Sequence, residues 1–311
     1  MTMPNPAGEF DLIASIRRQA APSPRVPLGI GDDCALVSHA PSAATLVAAD
    51  MLLEGRHFTI ETASPGLIGR KALAVNLSDM AAMAGRPVAA VVSVAHHRGY
   101  GFEFAEELHA GLNGLADEFG VAIAGGDTNI WDGPLVVGVT LLGDTIDGQS
   151  VTRGGARPGD IVFVTGPLGG SLRSGRHLTF TPRVAAALRL REEVELHAMI
   201  DISDGLLSDL GHICQESGLG ALLNAEAIPI HSDVDAAASP EDRLAAALSE
   251  GEDFELAFCV NEADAERLRH DPPEGLPLYA VGRMIAGEAI VVVDSHGAPI
   301  DFPSTGWRHL W

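Results

Sequence analysis

Lysine is almost missing from this chain. Of 20 basic residues in 311, Lys71 is the only lysine and the others are all arginine. A Walker-type phosphate loop ends in Gly-Lys-Ser/Thr, where the lysine reaches the β- and γ-phosphates. Lys71 sits between Arg70 and Ala72, so that mode of nucleotide binding is excluded. Positive charge is scarce altogether, and 42 acidic residues leave a net charge of −22. Nucleic acids and anionic lipid surfaces are held by clustered Lys and Arg, which argues against both as partners. Cysteine is scarce too. Cys34, Cys214 and Cys259 are far apart, with no C-x-x-C and no H-E-x-x-H, so zinc and a disulfide framework are poor readings. No uninterrupted apolar run approaches the roughly 18 residues of a membrane span, and "MTMPNPAGEFDLIASIRRQ" lacks an apolar signal core. The expectation is a soluble, reduced, cytoplasmic protein without a membrane partner.

What is present is ample apolar material. Hydrophobic residues make up 46% of the chain, and its length suits two domains of roughly 150 residues each. Strand-like and helix-like runs alternate. "TLVAAD", "PVAAVVSVA", "VAIAGGD" and "GPLVVGVTLLGD" read as strands, and "GEFDLIASIRRQ" as a short helix. "SPGLIGRKALAVNLSDMAAMAG" and "GFEFAEELHAGLNGLADEFG" read as helices, with Pro65 near the start of the first and Gly120 ending the second. The stretch "DGQSVTRGGARPGD" is rich in Gly and polar residues and places a boundary near residue 150. Beyond it, strands are expected at 161–165, 199–203, 254–260 and 289–294, and helices at 182–197 and 204–217. "VDAAASPEDRLAAALSEG" reads as merely Ala-rich.

One pattern recurs. Six segments end an apolar run in a carboxylate: "GIGDD" (Asp32, Asp33), "LVAAD" (Asp50), "NLSD" (Asp79), "AIAGGD" (Asp127), "IDISDG" (Asp201, Asp204) and "SEGED" (Glu252, Asp253). Any one of them is ordinarily a cap or turn residue, and Asp204 fits the N-cap of the helix that follows it. Asp79 does not fit that account. It falls inside a helical pattern with Asn76 on the same face, among residues that make Asp a poor choice. Ligands in α/β architectures gather at strand ends. Carboxylates collected there with few cations to pair them point to Mg²⁺ bridging to a polyphosphate. The glycines of "GIGDD" and "AGGDT" would let phosphates approach the backbone. The pair His96-His97 reads as solvated loop histidines, Arg153 as a surface residue or bidentate phosphate donor, and Trp307 as either a stacking platform or ordinary packing.

The ordered motifs "GIGDDCAL", "DMLLEGRHF", "KALAVNLSDMAAM", "GGDT", "TRGGARPGD", "DISDGLLSDLGHI" and "GEDFEL" resemble the thiamine-monophosphate kinase family, nearly end to end. That family lies in the larger group resembling aminoimidazole ribonucleotide synthetase. The resemblance implies a two-domain α/β fold of α+β type. Residues 1–149 would form an ATP- and Mg-binding domain whose sheet pairs with a second copy in a homodimer. Residues 150–311 would form an α/β domain completing the active-site cleft. It implies transfer of the γ-phosphoryl of ATP to thiamine monophosphate with several Mg²⁺ ions. By motif, Asp33, Asp50, Asp79, Asp127, Asp201 and Asp204 match metal ligands. Gly126, Asp127, Arg153 and Ser203 match ATP contacts, and His109 stands where an aromatic residue often touches the adenine. His57, Glu252 and Trp307 match positions facing thiamine monophosphate. Ala49 replaces a usual hydroxyl residue, and the segment 166–185 is shorter than in many members. The chemistry asks for no catalytic base, because the acceptor is a phosphate monoester already dianionic above a second pKa of about 6. Alternatives are another ATP-using member of the same group, or a non-catalytic Mg-nucleotide binding protein.

Overall fold

The computed structural model describes residues 15–26, 37–41 and 43–301. Of the first helix expected, residues 15–19 are helical and the rest lies outside the described residues. The chain divides into two compact units. One comprises the described residues of Met1–Met80 and Arg86–Gln149, the other those of Ala81–Gly85 and Ser150–Trp311.

The first unit is built on strands β1 (Thr45–Leu53), β2 (Arg86–His97), β3 (Ala122–Trp131) and β4 (Val136–Asp144), in the order β1-β4-β2-β3. β4 runs antiparallel to both β1 and β2, and β2 runs parallel to β3. Helices α1 (Pro65–Ala82) and α2 (Gly101–Phe119) supply the crossovers. Pro65 opens α1 with its fixed φ, and Gly120 closes α2 in the left-handed conformation with φ 65°. One sheet face is buried through Leu52, Val92, Val94, Val137, Val139 and Leu141. The two helices cross at backbone distance. A Cβ on Gly111 would fall on the Gly66 carbonyl, and one on Gly69 on that of Leu108.

The other face of this sheet is bare and apolar. Val47 and Met51 on β1 are 63% and 61% exposed, Leu53 is exposed beside them, and Trp131 is exposed on the same face at β3, the other edge of the sheet. Strand alternation puts Val47, Ala49, Met51 and Leu53 on one side of β1, opposite Leu142, Thr140, Gly138 and Val136 of β4.

The second unit is a seven-stranded sheet in the order β11-β10-β7-β9-β5-β8-β6. Its strands are β5 (Ile161–Val164), β6 (Ala198–Asp201), β7 (Gly220–Asn224), β8 (Leu256–Val260), β9 (Tyr279–Ile285), β10 (Ile290–Val293) and β11 (Pro299–Ile300). Only β10 and β7 pair in parallel. Helices α3 (Val184–Glu193), α4 (Leu206–Ser217), α5 (Pro240–Ser249) and α6 (Glu262–His270) accompany it. Val162, Val164, Ile200, Leu206, Leu210, Leu223, Ala257 and Val281 lie in one core. Within the Ala-rich stretch, Pro240–Ser249 forms α5. Ser239 accepts the Asp242 N–H and Pro240 follows the cap, which is what fixes the start.

Among the described residues, no helix is long and apolar enough to cross a membrane.

Candidate active site

In the first unit, Asp50 and Asp79 meet. Asp50 lies on β1, in a row that runs across the sheet through Val139 and Val92 to Gly126. Asp79 comes from α1, and the two side chains hydrogen-bond each other. Burial raises the Asp50 pKa, while the Asp79 hydrogen bond and the charge of His57 pull it back. Two carboxylates in hydrogen-bond contact must share a proton or a cation. This is the partner that a mid-helix Asp requires.

His57 sits in the turn after β1 and is locally fixed. Its Nδ1 accepts the Leu53 N–H at 2.9 Å, so in the neutral imidazole the proton is on Nε2. Its carbonyl accepts from Lys71 Nζ at 2.9 Å. Lys71, the lone lysine, is wholly buried on α1. Tyr100 Oη donates to Glu54 at 2.6 Å, and the same carboxylate accepts the Leu135 N–H at 2.7 Å. The turn is therefore tied on both sides.

Gly126 lies where β3 passes closest to β2, and a Cβ there would fall on the Val92 carbonyl oxygen. Asp127, next along, is exposed and accepts from Asn129 Nδ2 at 3.3 Å. Its strand partner is Ser93, and Ser93 in turn faces Gly138. That row ends at Met51 on the bare face, so Asp127 belongs to the opposite face from Asp50.

His109 and His96 correct one expectation. His96 is in β2, not a loop, and is buried; His97 follows it and shares a hydrogen bond with the Gly133 carbonyl at 3.0 Å. The His96 ring meets that of His109 on α2 with centroids 6.5 Å apart. Among the described residues, neither ring nitrogen of either histidine has a protein partner. Burial lowers both pKa values to about 4, and the neighbouring His96 adds to the effect at His109.

In the second unit, Asp201 ends β6 and Ser203 and Asp204 follow in the turn to α4. Asp204 does not cap that helix. Gly205 holds the cap position with φ 102° and no side-chain cap bond is made. Asp209, inside the first turn, reaches back instead. Its Oδ2 accepts the N–H groups of Ser203 and Asp204, each at 3.0 Å. Burial and the charges of Asp201 and Asp204 push Asp209 up to about 8, against the two backbone bonds. Three carboxylates thus crowd one turn, and Asp209 was not singled out from the sequence. The signal was present, because an acid four residues past a glycine turn is placed for this back-reach.

Glu252 lies in the loop before β8 with its backbone at φ 67°. Its carboxylate is 3.5 Å from His177 Nδ1. Its neighbour Asp253 is buried, accepting the Gly169 N–H at 2.8 Å and Arg176 at 3.0 Å. Glu255 is buried in a two-pronged pair with Arg183 and also accepts from Thr165 at 2.7 Å. Arg153 is exposed in the loop before β5. Asp33 and Trp307 lie outside the described residues.

Among the described residues, no three His, Cys, Asp or Glu side chains converge as a ready metal site. The donor chemistry still fits Mg²⁺, which commonly takes one or two carboxylates and completes its shell with water and phosphate oxygens. Asp50 with Asp79, and Asp201 with Asp204, are pairs of that kind.

The profile of the AIR synthase related protein N-terminal domain matches residues 31–145, and that of the C-terminal domain residues 157–295. A thiamine-monophosphate kinase of Rhodopirellula baltica is 40% identical over 286 residues, 89% of each chain. Another, of Bacillus subtilis, is 36% identical over 296 residues, 88% of this chain and 90% of that one. The crystal structure of thiamine-monophosphate kinase from Stenotrophomonas maltophilia K279a superposes with a TM-score of 0.81 at 35% identity, covering 93% of this chain and 97% of that one. AaThiL complexed with AMPPCP and TMP gives 0.75 at 29% identity over 97% of each chain.

Proposed function

This chain belongs to the thiamine-monophosphate kinase family of AIR synthase related proteins, and we propose that it transfers the γ-phosphoryl group of ATP to thiamine monophosphate. The product is thiamine diphosphate. The observation that carries this reading is the meeting of Asp50 on β1 with Asp79 on α1, and the crowding of Asp201 and Asp204 about Asp209, in a chain without a phosphate-loop lysine. A relative matched over 97% of each chain was solved with an ATP analogue and TMP together.

The roles follow by motif and geometry. Asp50, Asp79, Asp127, Asp201 and Asp204, with Asp33, would hold Mg²⁺. When bound, Mg²⁺ supplies the positive charge that a transferring phosphoryl group needs. Gly126 gives phosphates backbone access, since no side chain fits there. Ser203 and Arg153 complete the nucleotide contacts, and His109, buried against His96, is left out of them. The acceptor phosphate is already a nucleophile, so no protein base is required and the protein's task is placement. His57 would face the substrate by motif, with its ring held by the Leu53 N–H. Glu252 and Trp307 are the other substrate-facing groups.

A homodimer through the first unit accounts for the bare apolar face of β1 and β4. An exposed patch of Val, Met and Leu on a sheet is the mark of an interface. The free thiols of Cys214 and Cys259, both buried, suit a reducing cytoplasmic location.

Phosphorus NMR of the purified protein with ATP, Mg²⁺ and thiamine monophosphate decides the matter. ADP and thiamine diphosphate are expected. AMP with pyrophosphate, or nucleotide binding with no turnover, would overturn the kinase in favour of another group member or a non-catalytic binder.

A further inference from the structure

We propose that Asp209 and Gly251 are positioning residues that lock the Asp201–Asp204 turn and the Glu252 loop into one unit. The groups facing nucleotide and those facing thiamine monophosphate in this half of the chain then cannot shift separately. The inference rests on the reading above that Ser203 faces ATP and Glu252 faces the acceptor.

The two loops are joined through their backbones. Glu252 N–H donates to the Ser203 carbonyl at 2.7 Å, Phe254 N–H to Ile202 at 2.8 Å, and Ile202 N–H to Glu255 at 2.7 Å. They also touch without side chains between them. A Cβ on Gly251 would stand 2.5 Å from the Ser203 oxygen, and one on Gly205 would stand 2.9 Å from the Ser249 carbonyl carbon. Only glycine permits the crossing at both points.

Each side of the crossing is clamped. Asp209 accepts the Ser203 and Asp204 N–H groups. Ser203 is thus held through its N–H by Asp209 and through its carbonyl by Glu252. On the far side, Ser171 Oγ donates to the Glu252 carbonyl at 2.6 Å, and Asp253 is gripped by Gly169 and Arg176. Glu252 and Phe254, at φ 67° and 53°, occupy the left-handed region that side chains disfavour. Such a conformation persists only where surrounding bonds over-determine it. A continuous path therefore runs from the Asp209 carboxylate through Ser203 to Glu252.

The test measures two affinities on the full chain by calorimetry. Thiamine monophosphate is titrated without metal or nucleotide, and a non-hydrolysable ATP analogue is titrated with Mg²⁺. Asp209→Ala and Gly251→Ala are each expected to weaken both ligands by a similar factor, about tenfold for the loss of a buried hydrogen-bonded contact. Asp209→Asn keeps an acceptor oxygen and is expected to recover most of that loss. Weakening of the nucleotide alone, as a mere change of charge beside the cation would cause, overturns the proposal. So does a lowered melting temperature with both affinities intact. If Asp209→Ala does not fold, Gly251→Ala and Asp209→Asn decide on the same readings. Wild-type protein that binds neither ligand overturns the functional reading itself, and this inference with it.

Discussion

Replacing both buried imidazoles, as His96→Leu with His109→Leu, should turn an acid-sensitive core into an insensitive one. In the folded chain each ring is held near 4 by burial, while in the unfolded chain a histidine titrates near 6.5. Between those values the unfolded state takes up a proton that the folded state refuses. Stability contributed by the neutral pair is therefore intact above pH 6.5 and lost as pH falls towards 4. At about 1.4 kcal/mol per unit, going from pH 7 to pH 5 withdraws about 2 kcal/mol for each ring and about 4 kcal/mol for the pair. That is a large share of the roughly 5–15 kcal/mol that holds a typical protein folded. Asp209 and Asp253, raised to about 8 and about 7, act in the opposite sense, because the folded state keeps protons that the unfolded state releases. The wild-type curve alone would mix the two effects, so the difference between wild type and variant is the quantity to read. At pH 7 the variant should be at least as stable as wild type, since apolar groups replace four ring nitrogens without protein partners. Urea unfolding followed by circular dichroism at pH 7, 6 and 5 gives both values. Wild-type and variant stabilities that fall in parallel would refute the reasoning.

Asp79→Asn and Asp204→Asn should each lose most phosphoryl transfer at limiting Mg²⁺ while remaining folded, with turnover across a Mg²⁺ titration as the assay; near wild-type turnover at low Mg²⁺ would return both residues to a structural role. Gly126→Ala should lower stability by about 1–3 kcal/mol, the range for forcing atoms into a packed site, because its Cβ meets strand backbone and not a yielding side chain; an unchanged melting temperature counts against the close approach of β3 to β2. Met51→Glu puts a charge in the middle of the bare face and should convert a dimer to monomer by light scattering, whereas a wild-type protein already monomeric at micromolar concentration would remove the dimer.

The sequence made the strand-end carboxylates legible because alternation and helical period place them without tertiary knowledge. The main strands of the first unit, and α1 and α2, fall where the apolar runs do. What stayed hidden was decided at a distance. β7 ("GALLN") and β9 ("YAVGRMI") each carry a glycine that breaks the apolar run, and only the structure shows that Gly220 and Gly282 lie against neighbouring backbone. His96 looked solvated because two adjacent polar residues suggest a loop, yet β2 continues through them and turns His96 inward against α2. Asp204 looked like a cap because the chain shows which residue precedes a helix, not which carboxylate folds back to bind the turn. Asp209 takes that place. The metal ligand assignments rest on motif, with the mutual crowding of the carboxylates as their physical support.

Lys71 has a practical consequence. Apart from the chain's amino terminus, its ε-amine is the only primary amine in the protein, and it is wholly covered, bound to the His57 carbonyl. An acylating reagent in water cannot reach it until α1 lifts away from the turn that His57 anchors. The rate at which this single side chain is acylated therefore counts openings of the first unit one by one, at a limit set by the opening equilibrium or by the opening rate. A label added at a trace dose would time the loosening of the segment that carries Asp79, with no mutation and no competing site along the rest of the fold.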